Sequence, residues 1–403
     1  MTTCVGVGQS TNPNSSSAGR AAAQKALESA SLGQIDLALV FATAKHQLAA
    51  LRDGIREVIG PDPQIVGGNA VGIVTRDSLG YDGTEAGVAL FSSDSTVFHT
   101  ALAEELAGNE TETGARLGRQ LLSNHLSPDD GLLLFYDTVN LTTDQLRLNM
   151  ATPLIEGMSQ EIPTWPNMAG MGLLGDMQLQ PTQQLFGDRI TQQSAMAIQF
   201  TGDLQMDTVI MHGCRPAGDY HTITKTDGAV VLEIDHRPAL DVVGELLGAD
   251  SDIGWDDYAF FVTLGVNKGD RYGAFREDDY ANRMCIGVDE QRRGLIMFEN
   301  DLRAGCDVQL MRRSLDVEYV GQRTRSLLAK LDDRKPVFAF YIDCAGRAAA
   351  YCGLDEEDAV EVQKALPPGI PLLGVYSGVE IARVAGDVQA LDWTGVLCLF
   401  SEP

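Results

Sequence analysis

The strongest constraint on the fold is an internal repeat. Ile65-Val66-Gly67-Gly68-Asn69-Ala70-Val71-Gly72-Ile73 leads, after a turn-rich gap, to Ala86-Gly87-Val88-Ala89-Leu90-Phe91-Ser92. Met168 to Asp176 leads in the same way to Ala195 to Thr201, and Leu372 to Glu380 leads to Thr394 to Ser401. Each copy is an apolar strand, a glycine-rich bend, a hairpin connection and a strand ending in Phe and a hydroxyl residue. A repeated order of elements, and not only of letters, marks one supersecondary unit used several times.

What precedes each copy also matches. Leu37–Phe41, Leu132–Tyr136 and Val337–Ile342 are apolar strands, each followed by a helical stretch. Near the start, a strand at Thr3–Val7, a polar loop at Gln9–Ser17 and an alanine-spaced helix at Ala18–Ala30 precede the first of them. Strands alternating with helices predict a mixed α/β fold, with helices packed on mixed sheets built from repeated strand-helix-strand-turn-strand units. The segment from Phe260 to Met311 differs: short strands separated by Asp, Gly and Arg predict an antiparallel meander. Pro238 can open a helix at Ala239–Leu247, which places a boundary there and divides the chain into pseudo-related modules over 1–236 and 237–403.

The chain has 403 residues and a net charge of −26, with a sequence pI near 4.5. Phosphate recognition needs a basic surface, so nucleic acid is not an expected partner, and neither is an anionic membrane face. No run of about 18 apolar residues predicts a membrane span, and the first ten residues do not read as a signal peptide. The seven cysteines lie mostly inside apolar runs. An odd number of such thiols fits reduced side chains, so a soluble, cytoplasmic protein is expected. No Cys-x-x-Cys occurs, and no cysteine–histidine spacing suits zinc.

The chain resembles the FIST family, with N-terminal and C-terminal modules together spanning about Leu37 to Ser401. The resemblance rests on four stretches: Val66 to Gly72; Gly213-Cys214-Arg215-Pro216-Ala217-Gly218 with Val230–Glu233 and Arg237-Pro238-Ala239-Leu240; Asp343-Cys344-Ala345-Gly346-Arg347; and Gly374 to Ile381. Two positions depart from the family pattern. Gly68-Asn69-Ala70 stands where relatives often have Gly-Cys-Ser, and Gly72-Ile73 where they often have an acid. The resemblance implies a sensory protein of signal transduction that recognises a small polar metabolite such as an amino acid. Output would pass through a separate signalling protein. Some relatives bind haem and sense nitric oxide, which makes haem the alternative cofactor.

Cys344 and Arg347 follow an apolar strand, at the end where open α/β sheets place ligands. A guanidinium there could clamp a carboxylate, and would favour a thiolate if close; the alternative is a buried thiol beside an arginine that holds the fold. Cys214-Arg215 forms a similar pair, with Arg215 able instead to pair locally with Asp219. Glu380 could receive an ammonium group or cap its own turn. Asn69, Asp176 and Glu380 fall at nearly corresponding places in the repeats, so corresponding bends could face one cleft. His46 and His212 are the candidate haem ligands. Gly6-Val7-Gly8-Gln9-Ser10-Thr11 looks like a phosphate loop but lacks the Gly-Lys-Ser/Thr ending, and Ser15, Ser16 and Ser17 are N-cap candidates for the next helix. No Gly-x-Ser-x-Gly elbow is present. The reading therefore leans away from an enzyme, with a cysteine-dependent hydrolase or transferase built on Cys344 as a further alternative.

Overall fold

The three apolar runs Leu37–Ala42, Gly131–Asp137 and Lys335–Cys344 form strands buried over most of their length, as expected of strands covered on both faces. Each is followed by a helix (Leu48–Ile59, Ala151–Glu161, Asp358–Ala365) and a parallel strand (Gln64–Asn69, Asn167–Leu173, Leu372–Ser377). A hairpin comes next, and the last strand (Ala86–Ser92, Ala195–Gly202, Gly395–Glu402) returns antiparallel to the first. The computed structural model describes residues 3–140, 147–248, 262–314 and 316–403.

The repeated unit is longer than the sequence suggested. Each copy opens with a further strand and helix: Cys4–Ser10 with Ser15–Ser29, Thr96–Ala103 with Glu110–Ser123, and Gln205–Met211 with Glu318–Ala329. The opening strand always pairs with the closing one. In the third unit the opening strand and its helix are separated by the segment Cys214–Arg313.

The hairpins are exchanged between units. Gly72–Thr75 of the first unit pairs with Leu372–Ser377 of the third. Gln184–Phe186 of the second pairs with Gln64–Asn69 of the first. Val379–Val384 of the third pairs with Asn167–Leu173 of the second. Three six-stranded mixed sheets result, each joined to another by a borrowed hairpin. All three turn one face toward a shared core that includes Leu39, Phe41, Leu133, Phe135, Phe340 and Val375. One phenylalanine from each sheet meets the others there, with ring centroids 5.6 Å apart for Phe41–Phe135, 5.8 Å for Phe41–Phe340 and 6.4 Å for Phe135–Phe340. Such pairs add about 0.5–1.5 kcal/mol each beyond their burial.

Helices cover the outer faces, and glycine sets how closely they approach. A Cβ at Gly19 would lie 2.1 Å from Leu51 O, and one at Gly54 would lie 2.0 Å from Ser16 O. The second helix pair repeats this with Gly114 against Leu154 O at 2.1 Å and Gly157 against Thr111 O at 1.9 Å. Gly6 and Gly8 have the same role against Ala26 and Ala22, so the segment that looks like a phosphate loop is a helix-docking strand. The N-cap of the first helix is Asn14, whose side chain accepts from Ser17 N at 2.9 Å, and not one of the three serines.

From residue 262 onward the meander expected over Phe260 to Met311 is antiparallel; residues 260 and 261 lie outside the described residues, and these strands belong to the larger segment Cys214–Arg313. It closes into a ring, because Asp307–Arg313 pairs with both His221–Asp227 and Thr263–Asn267, and the other strands complete the circuit. Its core includes Ile223, Val231, Leu264, Cys285 and Leu295. The junction at 236/237 falls inside this insertion, where Val230–Ile234 pairs with Arg237–Pro238, and Pro238 caps the helix Ala239–Leu247. Among the described residues, no helix is long and apolar enough to cross a membrane.

Candidate functional site

The strand Lys335–Cys344 ends in a short turn, Ala345–Arg347, that folds Arg347 back onto its own strand end. Arg347 Nε donates to Asp343 Oδ1 at 3.0 Å. Nη1 donates to the carbonyls of His212 and Trp393, each at 3.2 Å. Nη2 donates to Tyr319 Oη at 2.9 Å and to Asp358. These contacts use every N–H of a guanidinium. Arg347 therefore joins two helices, the end of Gln205–Met211 and the bend before the last strand, and has no donor left to clamp a ligand carboxylate. Burial opposes its charge, but Asp358, Tyr319 and Asp343 more than offset this and hold its pKa well above the usual value.

Carboxyl groups crowd the same region. Burial pushes the Asp343 carboxyl up to about 7, against the opposing pull of Arg347. Burial likewise raises Asp392 to about 7 despite Arg283. Glu380 is fully buried, and burial raises its pKa well above the carboxylate range, with Asp343 and Asp392 contributing in the same direction. Its Oε1 lies 2.9 Å from Ser377 Oγ, and its Oε2 accepts from Thr394 N at 3.3 Å. Asp392 Oδ1 is buried with no hydrogen-bond partner. Unpaired buried polar atoms are rare in folded proteins and call for an explanation.

Cys344 and Cys214 reach this cluster. Burial raises the Cys344 thiol well above its usual value, and neighbouring Glu380 adds to the effect. Burial pushes Cys214 up to about 11, although Arg313 and Arg347 pull it down. A nucleophilic cysteine needs the reverse shift, so neither thiol has the environment that the cysteine-dependent alternative requires. Arg313 stacks on Trp393, with its guanidinium carbon 3.5 Å from the ring centroid, and Trp393 has a left-handed φ of 54°.

Cys344, Arg347, Glu380 and Cys214 thus come together, while Arg215, Asn69 and Asp176 are engaged elsewhere. Arg215 is exposed and lies over Phe275, 5.6 Å from the ring centroid. Asn69 Oδ1 accepts from Gln183 N at 2.7 Å and its amide donates to Ala42 O at 3.4 Å. Asp176 Oδ1 accepts from Gln178 N at 3.0 Å and Gln180 N at 3.2 Å, closing its own loop. The strand register also corrects the expected correspondence of the bends. Glu380 stands opposite Met171, Gln184 opposite Gly68 and Ile73 opposite Val375. The counterparts of Glu380 are therefore Gln184 and Ile73.

Neither candidate haem ligand offers a ring nitrogen. His46 Nδ1 lies 3.2 Å from Ser15 Oγ and its Nε2 lies 2.9 Å from Thr84 O. His212 Nδ1 accepts from Cys214 N at 2.9 Å, and its Nε2 lies 3.2 Å from Glu277 O. Axial ligation would break one of these bonds in a buried setting. The residues that sequence reasoning missed are Asp392, Trp393, Asn282 and Arg283. Arg283 is fully buried, donates to Asn282 O and Ala390 O at 2.7 and 2.9 Å, and is paired with Asp301. Their only sequence signal is that Asp392-Trp393 immediately precedes the third closing strand.

The chain is 25% identical over 405 residues to an uncharacterised protein of Mycobacterium tuberculosis, covering 98% of this chain and 99% of that one. It is 26% identical over 198 residues to an uncharacterised protein of Mycobacterium bovis, covering 48% of this chain and 50% of that one. Among solved structures, a cyanuric acid hydrolase aligns over 100% of both chains with a TM-score of 0.35 and 10% identity. The FIST N domain model matches residues 36–237 and the FIST C domain model matches 239–383. The chain belongs to the FIST family and carries both of its domains.

Proposed function

We propose that this protein is a sensory component of signal transduction that takes up a small polar, amino-acid-like ligand at the cluster around Glu380. The observation that carries the reading is the set of buried neighbouring carboxyls Asp343, Glu380 and Asp392, in which Asp392 Oδ1 has no partner. Such acceptors suit a ligand that supplies several N–H donors, such as an ammonium group. Arg347 acts as a positioning residue that fixes Asp343, and is not itself a ligand contact. The cluster also touches the insertion through Asn282 and Arg283, so occupancy could be relayed to that ring and from there to a separate signalling protein.

The test is native mass spectrometry of the protein as purified, joined to thermal-shift titrations with the standard amino acids. A retained small molecule, or a saturable rise in Tm with one of them, is expected. The shift should be lost in Asp392→Asn while the unligated variant still unfolds in one cooperative transition. No retained molecule and no saturable shift, or an unchanged shift in that variant, would sink the reading.

A further inference from the structure

We propose a second binding site, independent of the Glu380 cluster, in the groove between the first and third units: it takes a small organic anion with an apolar flank, anchored by Arg76. The groove has a volume of about 500 Å³, within the range of small-molecule sites. It runs along Val7 to Ser10 of the opening strand and Thr11 beyond it, next to Lys25 of the first helix, and is closed by the bend Thr75 to Ser78 and by Gly369 to Leu372.

Its free hydrogen-bonding capacity is mostly donor. Arg76 Nη2 donates to Leu366 O at 2.8 Å, but Nη1 is buried and has no partner. Lys25 Nζ donates to Gln9 O at 2.9 Å, which leaves an ammonium with further N–H groups. The Gln9 side-chain oxygen accepts from Thr75 at 3.3 Å and from Ser78, which turns its NH₂ group away from those hydroxyls. Among the lining residues only Asp77 carries a carboxylate, and it is exposed. Val7, Ile370, Pro371 and Leu372 supply an apolar wall. A guanidinium whose buried Nη1 is unpartnered, an ammonium and an amide match a carboxylate or phosphate, and the wall matches an apolar substituent on it. The glycines of the lining strand admit the first helix (Gly8 meets Ala22 O at 2.1 Å when given a Cβ), so the anion would be held by side chains and not by a phosphate loop.

The experiment titrates the full chain with benzoate and with phenyl phosphate at constant ionic strength, following Tm and calorimetric heat. Saturable binding of at least one probe is expected, and which one binds distinguishes a carboxylate ligand from a phosphate. Arg76→Gln should weaken it tenfold or more, and Lys25→Ala, at an exposed position, should weaken it severalfold without affecting the fold. Glu380→Gln should leave it unchanged, so failure here and failure at the Glu380 cluster are separable. Absence of saturable binding by both probes, or binding that survives Arg76→Gln and Lys25→Ala undiminished, would overturn the assignment.

Discussion

Glu380 and Gln184 occupy the same place in two successive repeats and do the same backbone work: Glu380 Oε2 accepts from Thr394 N at 3.3 Å, and Gln184 Oε1 accepts from Ser194 N at 3.2 Å. Each side chain ties an exchanged hairpin to the closing strand of its own unit. In the first repeat Ile73 replaces the pair, so the bond is not required by the fold. The acid at 380 is thus a choice within a position that tolerates a neutral amide. Glu380→Gln should therefore fold, keep the bond to Thr394 N and change stability by no more than about 1 kcal/mol at pH 5. Urea unfolding checks this. A loss of several kcal/mol would mean that the charge itself holds the bend.

The pH dependence follows from the neighbouring acids. Asp343 and Asp392 are both raised by burial to about 7, so the folded protein binds protons more tightly than the unfolded chain. Their contribution is fully present below the ordinary carboxylate pKa near 4, falls as pH rises, and is lost once pH passes about 7. Stability should decline between pH 4 and 7 and then level off. Asp392→Asn keeps an acceptor for Met284 N, which Asp392 Oδ2 now receives at 2.9 Å, and removes one titration. Its urea midpoint should therefore gain on the wild type as pH rises from 5 to 8. A parallel pair of curves would refute the linkage.

Arg347 is the opposite case. Its removal would leave Asp343 and Asp358 buried without their counter-ion, a loss of roughly 3–5 kcal/mol. Arg347→Lys should recover little, because an ammonium cannot reach Asp343, Asp358, Tyr319 and two carbonyls at once. Chemical unfolding of Arg347→Met and Arg347→Lys measures both. A lysine variant of wild-type stability would show that charge alone matters there.

Much of this was legible in the chain, for identifiable reasons. Runs such as Leu37–Ala42 and Leu132–Tyr136 are apolar throughout, and the strings ending in Phe91-Ser92, Phe200-Thr201 and Phe400-Ser401 marked the closing strands. The opening strand and helix of the third unit were hidden because the ring Cys214–Arg313 separates Gln205–Met211 from Glu318–Ala329. The hairpin exchange left no local trace, since Gly72–Thr75 and Leu372–Ser377 are far apart in sequence and a register carries no composition signal. Cys344, Arg347 and Glu380 lie in one region of the structure, but the saturation of Arg347 depends on Tyr319 and the carbonyls of His212 and Trp393, which no spacing relates to position 347.

The helix pairs supply a test of the repeat itself. Gly157 packs against Thr111 O so closely that a Cβ would lie 1.9 Å away, in contact with backbone that cannot rotate aside. Gly157→Ala must push the helices Glu110–Ser123 and Ala151–Glu161 apart and should cost about 1–3 kcal/mol, despite the better helix propensity of alanine. Gly54→Ala should cost a similar amount in the first unit, where the Cβ would lie 2.0 Å from Ser16 O. Gly218→Ala is the control: nothing lies within 4 Å of its Cβ, so it should be close to neutral. Urea unfolding of the three variants decides the matter. If Gly157→Ala and Gly54→Ala matched Gly218→Ala, the helices would not be seated at glycine contacts, and the shared packing of the first two units would have to be explained by their apolar faces alone.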